Sequence, residues 1–125
     1  MIGYATLGTN DLDKATSFYD ALLAELGGKR IMELEKGVIW AAAPNTPMLG
    51  VFKPFDGKPA TVGNGMMVAL AAGSPEKVTA IYDKALELGA IDEGAPGPRG
   101  NSGFYGAYFR DLDGNKLCAF CIERS

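Results

Sequence analysis

The chain has 125 residues, the length of one small domain, and 47% of them are hydrophobic, so we expect a packed core rather than disorder. Its 12 Lys and Arg against 15 Asp and Glu give a net charge of −3, and the basic residues are scattered, which argues against a nucleic-acid partner. The sequence contains no His, the residue that most often serves as metal ligand and general base.

No segment has the features of a targeting or membrane signal. Residues 1–10 lack both the cationic start and the apolar run of a signal peptide. The uncharged stretches 37–52 and 59–75 are interrupted by Pro, Gly and Asn and fall short of the ~20 apolar residues that cross a bilayer. Cys118 and Cys121 have CxxC spacing without a second pair or a His to complete a zinc site. We therefore expect a soluble, reduced, cytoplasmic protein with no membrane partner.

The first half of the chain predicts one strand, one helix and three further strands. An apolar strand at residues 2–7 leads into a helix whose apolar residues recur at helical spacing through residues 15–26. Asn10 or Asp11 is the expected N-cap, and Gly27 is placed to end the helix. Segments of strand length and composition follow at residues 29–35, 38–43 and 48–53.

The second half repeats this order after a connector at residues 54–65. A strand at 66–71 precedes a helix with Ser74 as its cap, Pro75 in its first position and Gly89 at its end. Further strands are predicted at residues 90–93, 104–110 and 116–123. The last two strands form a hairpin around a three-residue turn at 112–114, and the Gly- and Pro-rich segment 94–103 is expected to be a loop over the sheet ends.

The two halves are related in sequence as well as in pattern. Residues 4–23 align without gaps with residues 67–86. The identical pairs are Leu7 and Leu70, Lys14 and Lys77, Thr16 and Thr79, Tyr19 and Tyr82, Asp20 and Asp83, and Leu23 and Leu86. Each half is too small to bury its own sheet, so we expect the halves to pack together.

This tandem β-α-β-β-β repeat resembles the vicinal oxygen chelate superfamily of glyoxalases, bleomycin resistance proteins and extradiol dioxygenases. Three segments support the resemblance: Asn-Asp-Leu-Asp-Lys at 10–14 ahead of a Phe-Tyr pair, the stretch 65–72 before the Ser cap, and Phe-Arg-Asp-Leu-Asp-Gly-Asn-Lys-Leu at 109–117. It implies an α+β fold with two modules, about residues 1–56 and 64–125, packed as a single domain into an incomplete barrel around a cavity. It also implies a homodimer.

Metal-using members of that superfamily resemble one another in placing His on the first strand and a carboxylate on the last strand of each module. Here the resemblance assigns those positions to Tyr4, Met67, Cys118 and a fourth residue within 48–52. No His, Asp or Glu occurs in any of these windows. We therefore expect no metal ion and no cofactor, because hard divalent ions require carboxylate or similar oxygen ligands, and zinc or non-haem iron requires imidazole, carboxylate or several thiolates. A soft Cu(I) site formed by Met67, Cys118 and a third sulfur is the alternative.

A strand period of two predicts which side chains face the cavity. If Tyr4 and Met67 point inward, small residues lie beside them on the same face, while Leu7 and Leu70 pack under the helices. The predicted ligand-binding residues are Tyr4, Trp40, Phe52, Met67, Arg99, Tyr105, Tyr108 and Cys118. Arg99 suits a ligand carboxylate or carbonyl, with a solvated loop as the alternative. No catalytic residue is predicted.

The leading functional hypothesis is therefore a metal-free protein that binds a small, mostly apolar organic molecule in the cavity between its modules. The alternative is a lyase, isomerase or dioxygenase-like enzyme of the same superfamily that works through atypical residues such as Tyr4, Tyr108 or Cys118. A third interpretation is a scaffold whose sheets serve only dimerisation.

Overall fold

The computed structural model describes residues 1–123 and shows two β-α-β-β-β modules. By internal contacts the chain divides into two compact units, Met1–Asn64 and Gly65–Ser125. Each unit has a four-stranded sheet and one helix, so the predicted α+β class and tandem repeat are confirmed. In the described residues, no helix is long and apolar enough to cross a bilayer.

The first unit contains one parallel and two antiparallel strand pairs. Its elements are β1 (Tyr4–Gly8), α1 (Leu12–Ala24), β2 (Lys29–Glu33), β3 (Gly37–Ala41) and β4 (Met48–Phe52). The strand order is β1-β4-β3-β2, with β1 parallel to β4. This order places the first and last strands of the module side by side.

The second unit repeats this topology. Its elements are β5 (Val68–Ala71), α2 (Pro75–Glu87), β6 (Ile91–Pro98), β7 (Phe104–Arg110) and β8 (Lys116–Ile122). The strand order is β5-β8-β7-β6, again with the first strand parallel to the last. The two helices each have 13 residues and occupy equivalent positions in the repeat.

Capping side chains define where the helices begin. The Asp11 carboxylate accepts a hydrogen bond from the Lys14 amide, which identifies Asp11 rather than Asn10 as the N-cap of α1. Ser74 makes the equivalent bond to the Lys77 amide, and Pro75 follows it in the first turn, as predicted.

Each helix covers one face of its own sheet, and the core of each unit lies between them. Apolar residues at alternate strand positions meet the buried face of the helix, as the period of two requires. In the first unit these are Leu7, Val38, Trp40, Leu49 and Val51 against Ala15, Phe18, Tyr19 and Leu22; in the second they are Ala107, Phe109, Leu117 and Ala119 against Val78, Ile81 and Ala85. We call the opposite side of each sheet its helix-free face.

The structure corrects the loop predicted at residues 94–103. β6 extends through Pro98, so only the segment after it remains a connection to β7. Gly and Pro normally weaken a strand. Here the pairing of β6 with β7 changes register twice, between Asp92 and Gly94 and between Gly94 and Gly97. These irregularities accommodate the Gly and Pro residues while the rest of β6 stays paired with β7. The Arg99 amide then donates to the Phe104 carbonyl at 2.8 Å and closes the connection.

The final hairpin has the predicted turn and register. The Asp111 amide donates to the Asn115 carbonyl at 2.9 Å, and Gly114 adopts a left-handed conformation with φ of 91°. Tyr108 consequently pairs with Cys118 across the ladder, as the three-residue turn predicted at 112–114 requires.

Candidate ligand site

The helix-free face of the first sheet holds a pocket of about 1010 Å³. The sheet contributes its floor, and residues 53–61, which follow β4, contribute one wall. Residues that define it include Tyr4, Thr6, Ile39, Phe52, Phe55 and Ala60. Its lining combines these side chains with the charged residues Glu35, Lys36, Lys53 and Asp56. Small-molecule sites are likewise concave surfaces in which apolar side chains are accompanied by a few polar groups.

Two glycines allow the Phe52 ring to lie flat across this floor. A Cβ atom added at Gly37 would collide with Cδ2 and Cγ of the ring, and one at Gly50 would lie 2.7 Å from its Cε1 atom. Gly37 pairs with Phe52 across the β3–β4 ladder, and Gly50 precedes Phe52 by two residues on β4. The Phe52 side chain therefore lies directly on the backbone of these two strands. The Phe52 ring therefore forms part of the pocket floor and does not project into the pocket volume.

The Asn10 side chain fixes the wall of the pocket. Its Nδ2 donates to the Ala60 carbonyl at 3.1 Å, and its Oδ1 accepts from the Ala60 amide at 2.7 Å. Gly8 lies close beneath, since a Cβ there would be 3.1 Å from the Ala60 methyl. This contact spans 50 residues of sequence, so local pattern analysis assigned Asn10 only a possible capping role.

Trp40, one of the predicted ligand-binding residues, lies on the helix side of β3 and does not line this pocket. It is 1% exposed, its ring lies 5.8 Å from that of Tyr19, and its Nε1 donates to Asp20 at 2.9 Å. The period of two turns Trp40 towards α1 and its neighbour Ile39 towards the pocket. Asp20 also binds Arg30 through two hydrogen bonds, which hold the pKa of its carboxyl below the usual range.

Tyr105, also in the predicted set, is half-buried and lies on the helix side of the second sheet. It pairs with Cys121 and shares the helix side of β7 with Ala107 and Phe109.

Cys118 lies on the other face of β8 from Cys121, as an odd separation on a strand requires, and both cysteines are free.

The helix-free face of the second sheet brings together Arg99, Tyr108 and Cys118 from the predicted set. Arg99 folds back along β6, and its guanidinium carbon lies 5.4 Å from the centre of the Tyr108 ring. Sequence reasoning missed Lys116, whose Nζ lies 5.5 Å from the same ring. The signal was available, because Lys116 is two residues from Cys118 and therefore on the same face of the strand.

Cys118 is buried and is not activated as a nucleophile. It is 0% exposed, and this burial raises the pKa of its thiol. The Ala107 backbone, the positive charges of Arg99 and Lys116 and the Tyr108 hydroxyl act in the opposite direction but do not outweigh it. The thiol therefore remains protonated at neutral pH and packs as a small apolar group.

The positions equivalent to metal ligands in metal-using relatives do not suit a divalent ion. Ala69 pairs with Cys118 and Thr6 pairs with Gly50, so the repeat identifies Gly50 as the fourth position, which has no side chain. The others supply a phenol at Tyr4, a thioether at Met67 and the buried thiol. Within residues 1–123, no three or more His, Cys, Asp or Glu side chains are grouped to hold a metal.

Comparison with known proteins identifies the family. A sequence model of the Glyoxalase/Bleomycin resistance protein/Dioxygenase superfamily matches residues 1–119. The chain belongs to this superfamily. Among proteins of curated function, none matches the sequence.

Several solved structures share the fold. A glyoxalase/bleomycin resistance protein from Albidiferax ferrireducens T118 is 37% identical, with a TM-score of 0.88 over 97% of this chain and 98% of that one. Hypothetical protein SA1046 from S. aureus is 26% identical, with a TM-score of 0.71 over 97% and 96%. A lactoylglutathione lyase from Agrobacterium tumefaciens is 21% identical, with a TM-score of 0.71 over 97% and 92%, which indicates a shared fold.

Proposed function

We propose that this superfamily member binds small, mostly apolar organic molecules on the helix-free faces of its sheets. The pocket of about 1010 Å³ on the first sheet is the observation that supports the proposal most. Its apolar side chains are exposed to water, with Tyr4 at 60% and Phe55 at 98%, so a ligand that covers them gains the free energy of apolar burial.

The proposal includes binding without a metal ion or cofactor. The ligand-equivalent positions hold Tyr4, Gly50, Met67 and Cys118, and none of these supplies a carboxylate or imidazole. A lyase, isomerase or dioxygenase-like activity through such residues gains no support from the geometry. Burial keeps the Cys118 thiol protonated, so it is a poor nucleophile at neutral pH.

Thermal unfolding with and without an apolar probe tests the proposal. Indole at ten times its Kd is expected to stabilise the wild type by about 1.4 kcal/mol, which raises Tm by a few degrees. Thr6→Trp places a large side chain on the pocket floor, and we expect it to abolish this stabilisation. Lys14→Trp, on the exposed side of α1, is the matched control and should respond like the wild type.

Two results of that experiment would contradict the proposal. One is a folded wild type whose Tm does not change with indole or with similar probes such as toluene and cyclohexanol. The other is a folded Thr6→Trp variant that indole stabilises as strongly as it stabilises Lys14→Trp, because the probe would then bind elsewhere.

A further inference from the structure

Positive charge is concentrated around Tyr108 on the helix-free face of the second sheet. The Arg99 guanidinium carbon and the Lys116 ammonium lie 5.4 and 5.5 Å from the centre of the Tyr108 ring. Since β7 lies between β6 and β8, Arg99 approaches from the β6 side and Lys116 from the β8 side. The ring thus separates two cations on one surface.

These two charges have no acidic partner in the part of the chain that the structure describes. The ion pairs of residues 1–123 involve Arg30, Lys84 and Arg110, and neither Arg99 nor Lys116 takes part in one. Arg110, opposite Lys116 in the ladder, binds the acid beside this cluster, Glu93, at 2.6 Å. The face therefore keeps an excess of positive charge that a bound anion can balance.

The Arg99 side chain is held in position before any ligand binds. Its Nη1 donates to the Gly97 carbonyl at 2.9 Å and its Nη2 to the Ala95 carbonyl at 2.7 Å. A Cβ at Gly97 would lie 3.1 Å from Nη1, so glycine allows the guanidinium to lie close against the strand. The Nε–H makes no hydrogen bond within residues 1–123 and remains a donor. A fixed cation loses little side-chain entropy when it binds an anion.

Aromatic rings continue the same face beyond the charges. Phe104 and Phe120 stack with their centroids 5.5 Å apart and their planes 2° from parallel. Phe120 lies two residues along β8 from Cys118, which is opposite Tyr108, so the rings begin about 7 Å from the charged cluster. This distance matches a small molecule with an anionic head and a short apolar body.

We propose that this face binds small organic acids, with the carboxylate at Arg99 and Lys116 and the apolar body against Phe104 and Phe120. A carboxylate suits the planar guanidinium, and the Tyr108 ring provides a surface between the two cations. This inference rests on the proposed binding of small organic molecules and specifies the class of ligand for the second sheet.

Titration of the isotope-labelled full chain with phenylacetate and with phenylacetamide, followed by amide NMR shifts, tests the inference. The two probes have similar shapes and differ in charge. We expect phenylacetate to shift amides of β7 and β8 and to bind more tightly than phenylacetamide. Lys116→Gln should weaken phenylacetate about three- to fivefold, while Lys77→Gln, which removes the same charge from α2, should leave its Kd unchanged.

Salt provides a second readout on the unmodified protein. Raising NaCl from 20 to 500 mM should weaken phenylacetate binding and leave phenylacetamide binding unaffected, because salt screens the half-buried charges of Arg99 and Lys116. Equal affinity for the two probes, or equal effects of Lys116→Gln and Lys77→Gln, would overturn the inference and leave the proposed function standing. Absence of shifts on either helix-free face with both probes and with indole would overturn both.

Discussion

Phe52 shows how a single residue shapes the candidate site. Its ring lies against the backbone of Gly37 and Gly50, and neither position tolerates a Cβ atom without movement of the ring. The φ angle of Gly37 is not in the left-handed region that favours glycine. An alanine at this position therefore causes no backbone strain, and any loss of stability reports the collision of its methyl group with the Phe52 ring.

We predict that Gly37→Ala destabilises the fold by about 1–3 kcal/mol, because the added methyl must displace the Phe52 ring. Gly3→Ala is the matched control, since a Cβ there meets nothing within 4 Å. Urea unfolding of both variants measures the effect. In a Phe52→Leu background the same Gly37→Ala change should have a much smaller effect, and equal effects in the two backgrounds would show that the ring is not the obstacle.

Residue types alone did not decide which aromatic side chains reach the site. Trp40 and Phe52 are both aromatic residues on strands, yet one is buried under α1 and the other lines the pocket. Once the bounds of β3 are known, the strand period of two puts Trp40 on the same helix-covered face as Val38, a buried residue two positions before it. The Tyr108 and Cys118 pairing was predictable because a short turn fixes the hairpin register.

Interactions between elements explain the remaining differences from the prediction. The Asn10 contact with Ala60 joins the start of α1 to the segment after β4, and no local pattern signals a contact 50 residues apart. The extension of β6 depends on β7, which pairs with it across two register shifts. Local propensity therefore underestimates strands that are irregular in sequence but paired in the fold.

Asp20 links α1 to β2 and β3, and its pH dependence is testable. Arg30, through its hydrogen bonds, lowers the pKa of the Asp20 carboxyl in the folded state. The charged carboxylate therefore contributes fully to stability at pH values above the unfolded pKa of about 3.9. This contribution is lost as the pH falls through the lower folded pKa. The Asp20 side chain is 43% exposed, so we expect about 1 kcal/mol or less.

The prediction is that Asp20→Asn lowers stability by a constant amount between pH 5 and 7 and that the difference from the wild type shrinks below about pH 4. Asp83→Asn is the control, because Asp83 is the equivalent residue of the repeat and has no cation partner within residues 1–123. Urea unfolding across this pH range measures both. A wild-type advantage over Asp20→Asn that stays constant down to pH 2 would contradict the assignment.

At the scale of the whole molecule, the repeat provides two related sheets with different helix-free faces. The first face has a pocket floored by Phe52, and the second has the Arg99, Tyr108 and Lys116 cluster. The fold class was predictable because repeated periodicity and capping residues specify the elements twice. The superfamily was predictable only from the resemblance of the motifs at 10–14, 65–72 and 109–117. The homodimer and the cytoplasmic location stay predictions.

We propose above all that the helix-free face of the first sheet binds a small apolar molecule. Amide shift mapping of the isotope-labelled full chain during titration with indole tests it most directly. We expect saturable shifts that are largest at Thr6, Gly8, Phe52 and Ala60, around the pocket. Shifts confined to the outer surfaces of α1 and α2, or no saturable shifts at all, would contradict it.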